Sequence, residues 1–321
     1  MESVDRRLLV TGGAGFIGSH VVEAALADGW TVAVLDDLSS GRRAHVPSGV
    51  AFYEIDVRDA GGVQAAVRDF SPTVISHQAA QASVSVSVRD PLLDAEINIR
   101  GGLHILEAAR TNKVHRIVFA STGGAIYGEV SSGAADECTP ERPYSPYATS
   151  KFAFERYMET YRQQYGLQAI SLRYANVYGP RQNPHGEAGV VAIFLQHLRK
   201  GEPLQINARQ TLGDDGCLRD YVYVADVARA NLAAARGDTP ALLNVGTGQS
   251  TSTRALAEAL AKEVGVTPIL TSALPRPGDL KRSVLDSTLA SSLLGTPTSL
   301  DAGLRQLVLW SELEDAAQTN F

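Results

Sequence analysis

Leu8-Leu9-Val10-Thr11 runs directly into Gly12-Gly13-Ala14-Gly15-Phe16-Ile17-Gly18, so a short apolar strand passes through three spaced glycines into a helix. Gly12 permits the tight turn, Gly15 lets backbone approach a pyrophosphate, and Gly18 lets the helix lie close on a sheet. The helix beginning at Phe16 and Ile17 would offer free N–H groups and the positive end of its dipole to phosphate. Glycines alone can serve a turn and a close packing contact. Between a strand and a helix they predict a dinucleotide loop, and that loop commits the chain to a strand–helix–strand architecture.

The rest of the first half keeps that rhythm. Residues 7–11, 31–36, 51–55, 73–76, 116–121 and 169–174 read as strands, and residues 16–27, 63–69, 91–110 and 146–165 as the helices between them. This alternation predicts an α/β fold: a Rossmann-type doubly wound parallel sheet with helices on both faces. The pattern loosens after Tyr174. Residues 176–189 read as a loop containing His185, 190–199 as a helix, 241–245 as a further strand, 275–279 as a rigid loop, and a last helix starts near Leu300. The expected division is a dinucleotide-binding domain of residues 1–174 with returning segments at about 218–247. Residues 175–217 and 248–321 would form a smaller C-terminal lobe.

Composition narrows the partners. The 321 residues carry a formal net charge of −6 with no long basic run, which argues against nucleic acid or an anionic membrane surface. The only cysteines, Cys138 and Cys217, suit a reducing compartment. No histidine pair has metal-ligand spacing, so no metal is expected. No apolar run is long enough to cross a bilayer and no signal-peptide pattern opens the chain, so the expected location is the cytoplasm.

Asp36 ends the second strand 18 residues after Gly18, near the spacing at which an acid binds the ribose hydroxyls of NAD. Asp37 adds negative charge that would repel a 2′-phosphate, which favours NAD over NADP; Arg42 and Arg43 follow on what reads as a solvated loop. Asp56, followed by Val57, either hydrogen-bonds an adenine edge or caps a turn. Gln78-Ala79-Ala80 follows the fourth strand, where small side chains let a cofactor lie against backbone. Tyr147 and Lys151 stand four residues apart on one helix face. A nearby cation favours phenolate, which makes Tyr147 a candidate proton acceptor. The same spacing also occurs on plain solvated helices. His77, at the end of a buried strand, reads as a packed histidine.

Taken together these residues resemble the extended short-chain dehydrogenase/reductase family, within it the nucleotide-sugar epimerases and dehydratases. The resemblance spans nearly the whole chain. It is carried by Thr11–Gly18, His77–Ala80, Ser121-Thr122, Tyr147-x-x-x-Lys151, Arg173–Pro180, Arg219-Asp220-Tyr221, Asn244–Gly248 and Arg276-x-Gly278-Asp279. It implies bound NAD as the cofactor. It implies that Thr122, or Ser121 if the register slips by one, hydrogen-bonds the sugar 4-oxygen. Tyr147 would take the 4-hydroxyl proton, and Lys151 would hold the nicotinamide ribose. Asn98 would orient Lys151 through water or its carbonyl, and Asn98, Ser121 and Tyr174 would join the cofactor contacts.

Gly123-Gly124-Ala125-Ile126-Tyr127 follows Thr122 without a carboxylate, where related dehydratases carry an Asp–Glu pair. The resemblance therefore implies epimerisation at C4 of a UDP-hexose, with UDP-glucose and UDP-galactose as the interconverted pair. Asn176, Val190, Arg219 and Arg276 would hold the pyrophosphate and Asp279 the uridine ribose. Ser283 falls where some relatives carry a bulky Tyr, so N-acetylated hexoses are also expected to enter. UDP-glucuronate or UDP-N-acetylglucosamine as the main substrate, a dehydrogenase that releases NADH, and a non-catalytic NAD-binding regulator are the alternatives. A homodimer is expected through the helices at residues 91–110 and 146–165, with Leu92, Leu93, Leu103, Leu106, Phe152 and Tyr157 as the apolar supply.

Overall fold

A computed structural model describes residues 6–130, 132–184, 189–276 and 278–319; His185 and Pro277 lie outside them. The chain separates into two compact units. The first runs to Ile126 and adds Pro143–Arg173 and Val227–Leu243. The second comprises Tyr127–Arg142, Tyr174–Asp226 and the residues from Asn244 onward. Residues 127–142 thus group with the second unit, and the segment returning to the first is 227–243.

The first unit is organised on a seven-stranded parallel sheet, of which Tyr174 and Asn244–Val245, the ends of two strands, group with the second unit. Its strands are β1 (Arg7–Thr11), β2 (Thr31–Asp36), β3 (Ala51–Glu54), β4 (Val74–His77), β5 (Arg116–Thr122), β6 (Gln168–Tyr174) and a last strand, Leu242–Val245. From one edge the order is Leu242–Val245, β6, β5, β4, β1, β2, β3. β1 pairs in parallel with β2 on one side and β4 on the other. The strand order reverses between β1 and β4, and Gly12 follows directly on β1 at that point, where open α/β sheets bind ligands. The inner strands read as unbroken apolar runs because both faces are covered. Leu9, Ile75, Ile117 and Phe119 meet Val67, Phe70, Ile105, Phe154 and Met158 from the helices in one core.

Local chemistry explains the helices that frame the site. The Ser145 hydroxyl accepts from Ala148 N–H at 3.2 Å, Pro146 occupies the first turn, and Gly166 closes the helix Pro146–Tyr165 in the left-handed region at φ 70°. The single helix expected over 91–110 is Pro91–Ala95, a π-helical turn Glu96–Gly101, and Gly102–Thr111. Its period is altered where Asn98 gives both ends of its amide to Gln81, donating to the carbonyl at 2.9 Å and accepting from the N–H at 3.0 Å. Such turns concentrate at functional sites.

The second unit has its own core, in which Tyr178, Phe194, Leu195, Leu256, Leu260, Leu304 and Leu307 pack together. Two of its features depart from the sequence expectation. A strand, Asn176–Tyr178, begins the expected loop at 176–189 and pairs in parallel with Tyr221–Tyr223. A helix Thr253–Val264 follows a Ser252 cap, although no helix is expected there from the sequence. The helix Val224–Arg236 was likewise missed; it begins in the second unit and continues into the first.

Candidate active site

The glycine loop has the form of an anion cradle. A Cβ on Gly12, whose φ is 67°, would stand 2.6 Å from the Ala79 N, and one on Gly18 would overlap the Gly12 carbonyl. Gly15 caps the helix Phe16–Ala27 without any side-chain hydrogen bond, so the first N–H groups stay available to a ligand. Asp36 is buried at the end of β2. Its carboxylate accepts from Ala14 N–H at 2.9 Å and Leu38 N–H at 2.9 Å, which fixes it beside the loop. Burial pushes its pKa upward, and the two backbone donors oppose that. Asp37 is exposed and binds back to Ser39. Arg42 and Arg43 are both exposed, as a solvated loop requires. The far wall is fixed from two sides: Ala79 N–H donates to Thr11 Oγ1 of β1 at 3.3 Å, and Gln78 Nε2 donates to Asn231 Oδ1 of the helix Val224–Arg236 at 2.9 Å. Ala80 follows, half-buried. A closely approached backbone, uncapped helical N–H groups and a fixed carboxylate fit NAD.

Thr122 ends β5, and Tyr147 and Lys151 lie on the first turns of the helix Pro146–Tyr165. All three belong to the first unit. Lys151 is buried. Its Nζ donates to the Ala120 carbonyl at 3.0 Å, lies 4.7 Å from the Phe119 ring centre and 5.9 Å from the Tyr147 ring centre. Burial pulls its pKa down to about 8, and the carboxylates of Asp94 and Glu155 pull the other way. Ser121 Oγ donates to Glu155 Oε1 at 2.6 Å, so that hydroxyl is committed. No hydrogen bond to the Thr122 hydroxyl occurs among the described residues. His77 is the packed histidine expected: its Nδ1 lies 2.7 Å from Thr11 Oγ1, and burial drives its pKa down to about 3.

Three of the expected cofactor-side residues have partners of their own within the first unit. Asp56 binds its own neighbour: its carboxylate takes Arg58 Nε at 3.0 and 2.9 Å and the Arg58 N–H at 2.8 Å, the turn-capping alternative. Val57 turns its side chain into the core, and its carbonyl lies 2.9 Å from His104 Nδ1. The Asn98 amide is spent on Gln81 and on Asp94 Oδ1 at 3.0 Å, and Lys151 finds its partner in Ala120. The pair Glu155 and Arg173 went unassigned in the sequence, although Glu155 lies four residues beyond Lys151 on the same helix face. Arg173 gives Nε at 3.0 Å and Nη2 at 2.6 Å to Glu155, and both side chains are buried.

Apart from Thr122 and Tyr147, the expected substrate contacts lie in the second unit, and Tyr174 clusters there too. Asn176 donates its N–H at 2.9 Å and its side-chain amide at 3.1 Å to the Asp220 carbonyl. Arg219 and Ser283 are register partners in neighbouring parallel strands. Asp220 is buried and fastens the Asn244–Gly248 stretch, accepting from Thr247 Oγ1 at 2.6 Å and Gly248 N–H at 3.1 Å. Arg276 and Asp279 share one exposed turn, closed by Asp279 N–H on the Arg276 carbonyl at 3.3 Å. Val190 opens the helix Val190–Lys200, whose Gly189 cap has no side-chain bond. Glu129 is the first carboxylate after Thr122. It accepts from the N–H groups of Lys281 at 2.7 Å and Arg282 at 3.0 Å. Among the described residues no cluster of three His, Cys, Asp or Glu side chains could hold a metal, and no helix is long and apolar enough to cross a membrane.

A reversing parallel sheet, a glycine cradle and a Tyr–Lys pair define a dinucleotide-dependent α/β protein. Residues 8–246 match the model of the NAD dependent epimerase/dehydratase family, and the chain belongs to that family. Among its relatives, the UDP-glucose 4-epimerase of Mycolicibacterium smegmatis is 46% identical over 298 residues, 90% of this chain and 92% of that one. The crystal structure of the Thermus thermophilus UDP-glucose 4-epimerase in complex with NAD is 55% identical, with a TM-score of 0.91 over 95% of this chain and 99% of the other. The Thermotoga maritima enzyme with UDP-glucose is 43% identical, with a TM-score of 0.90 over 96% and 99%.

Proposed function

We propose that this chain is an NAD-dependent UDP-glucose 4-epimerase, interconverting UDP-glucose and UDP-galactose through a transient 4-keto sugar. The supporting observation is Thr122, Tyr147 and Lys151 on one unit with the nucleotide cradle, while Glu129 is spent on backbone and Gly123–Ile126 offers no acid for elimination. The relatives above support the same reading.

Bound NAD supplies the acceptor, and then the donor, of the hydride at the sugar C4. The helix start at Gly15, Phe16 and Ile17 holds its pyrophosphate and Asp36 its adenosine ribose. Lys151 holds the nicotinamide ribose, and its charge stabilises the negative charge that grows on the Tyr147 oxygen. Tyr147 removes the 4-hydroxyl proton and returns it to the 4-keto oxygen of the inverted sugar, while the Thr122 hydroxyl keeps that oxygen in place. Asn176, Val190, Arg219, Arg276 and Asp279 retain the nucleotide while the hexose turns over. Ser283, small and buried beside Arg219 in register, supports entry of UDP-N-acetylhexosamines as well.

The protein acts in the cytoplasm as a homodimer. Leu92 is 78% and Val88 65% exposed on neighbouring helices, and Tyr157 is 43% exposed, whereas Leu106 is buried and Leu103 packs against the core. The decisive experiment is incubation with a panel of UDP-hexoses without added NAD, followed by product identification. The expected result is interconversion of UDP-glucose and UDP-galactose; accumulation of NADH, or an unchanged panel, would refute the assignment.

A further inference from the structure

Two buried charges in the first unit have no ion pair of their own among the described residues. Asp94, on the helix Pro91–Ala95, is fully buried. Its Oδ2 accepts from Ser150 Oγ at 2.5 Å, and its Oδ1 accepts from Gln81 Nε2 at 2.7 Å and Asn98 Nδ2 at 3.0 Å. All three donors are neutral. Lys151, next in the chain after Ser150, is equally enclosed and donates to a neutral carbonyl. The neighbouring carboxylate, Glu155, is already matched by Arg173. An isolated ion in such a setting costs several kcal/mol, and the penalty falls when a second charge of opposite sign is buried with it.

We propose that Asp94 is the counter-charge of Lys151, a positioning residue that keeps the ammonium protonated beneath Tyr147. The inference rests on the proposed role of Lys151. The groups around Lys151 are these. Its own helix brings Tyr147 and Glu155, and β6 brings Arg173, which is tied to Glu155. β5 brings the Phe119 ring and the Ala120 carbonyl. β4 brings His77, which burial keeps neutral. The helix Pro91–Ala95 brings Asp94, bound to Ser150, the residue before Lys151, and in no ion pair among the described residues. Burial is the larger influence on Lys151 and lowers its pKa, and Asp94 is the first of the two charges that oppose it. The π-helical turn holds this carboxylate in place, since Asn98 binds both Asp94 and Gln81.

The test is Asp94→Asn, which keeps the shape and removes the charge. Lysine labelled with 13C at Cε reports the Lys151 titration directly, with Lys151→Met identifying its resonance. The midpoint should fall by about one unit, leaving roughly tenfold less cation at a given pH above it. The alkaline limb of the kcat profile should move toward acid by the same amount. Ser150→Ala removes a hydrogen bond but no charge and should leave the midpoint in place. An unmoved midpoint with a uniform loss of activity at every pH would reduce Asp94 to a structural post and overturn the proposal. If Asp94→Asn folds poorly, the double variant Asp94→Asn/Lys151→Met should melt above Asp94→Asn alone, because no charge is then left unmatched. A double variant that melts no higher would also overturn it. A wild-type protein inactive on every UDP-hexose would refute the functional assignment while leaving the titration and the melting comparison intact.

Discussion

Glu155→Ala probes the buried ion pair of the first unit. Arg173 and Glu155 are 0% and 1% exposed. Glu155 takes two guanidinium N–H groups at 3.0 and 2.6 Å and the Ser121 hydroxyl at 2.6 Å. Removing the carboxylate strands the guanidinium away from water, a loss of about 3–5 kcal/mol for a broken buried pair. The orphaned Ser121 hydroxyl adds about 1–3 kcal/mol if it finds no other acceptor. That sum is a large part of the roughly 5–15 kcal/mol that holds a typical domain together. Replacing both residues, as Glu155→Met with Arg173→Met, removes the unmatched charge, and such replacements are often neutral or stabilising by about 1–4 kcal/mol. Urea unfolding followed by far-UV circular dichroism measures the series. The expected order is wild type near the double variant, with Glu155→Ala far below both. A single variant that loses under about 1 kcal/mol, or a double variant as weak as the two singles combined, would falsify the stranded-charge explanation.

Tyr147→Phe should leave NAD content nearly unchanged and lower turnover by about 10²- to 10⁴-fold, the usual share of a positioned acid–base group; coupled assay and NAD release on denaturation separate the two effects. Gly12→Ala places a Cβ 2.6 Å from the Ala79 N at a φ of 67°, so it should cost about 1–3 kcal/mol and empty the purified protein of NAD. A variant that still copurifies with full NAD would remove Gly12 from the cradle. Leu92→Arg puts a charge on the exposed apolar face through which we propose the homodimer forms, so wild type should sediment as a dimer and the variant as a monomer, with far-UV circular dichroism unchanged.

Gly12–Gly18, Asp36 and the alternation of apolar runs with helical stretches are local signals. A strand buried on both faces must be apolar throughout, and a phosphate cradle must be free of side chains, so fold class and cofactor can be read along the chain. The Tyr147–Lys151 spacing is local too, because one helix presents both. What pairs with what across the sheet has no such signal. Ser121 and Thr122 are indistinguishable in sequence; a hydrogen bond from Ser121 to Glu155, 34 residues away, withdraws one of them. Asp56 satisfies itself with Arg58, two residues on, and the Asn98 amide turns to Gln81 and Asp94. Buried polar groups take whichever partner packing brings within hydrogen-bond reach. The sequence by itself determined a dinucleotide-binding sheet carrying a Tyr–Lys pair. Only the tertiary structure decided which hydroxyl stays uncommitted and that Lys151 lies buried with the Ala120 carbonyl as its acceptor, because desolvation and hydrogen-bond matching arise only once distant segments close around the same dry volume.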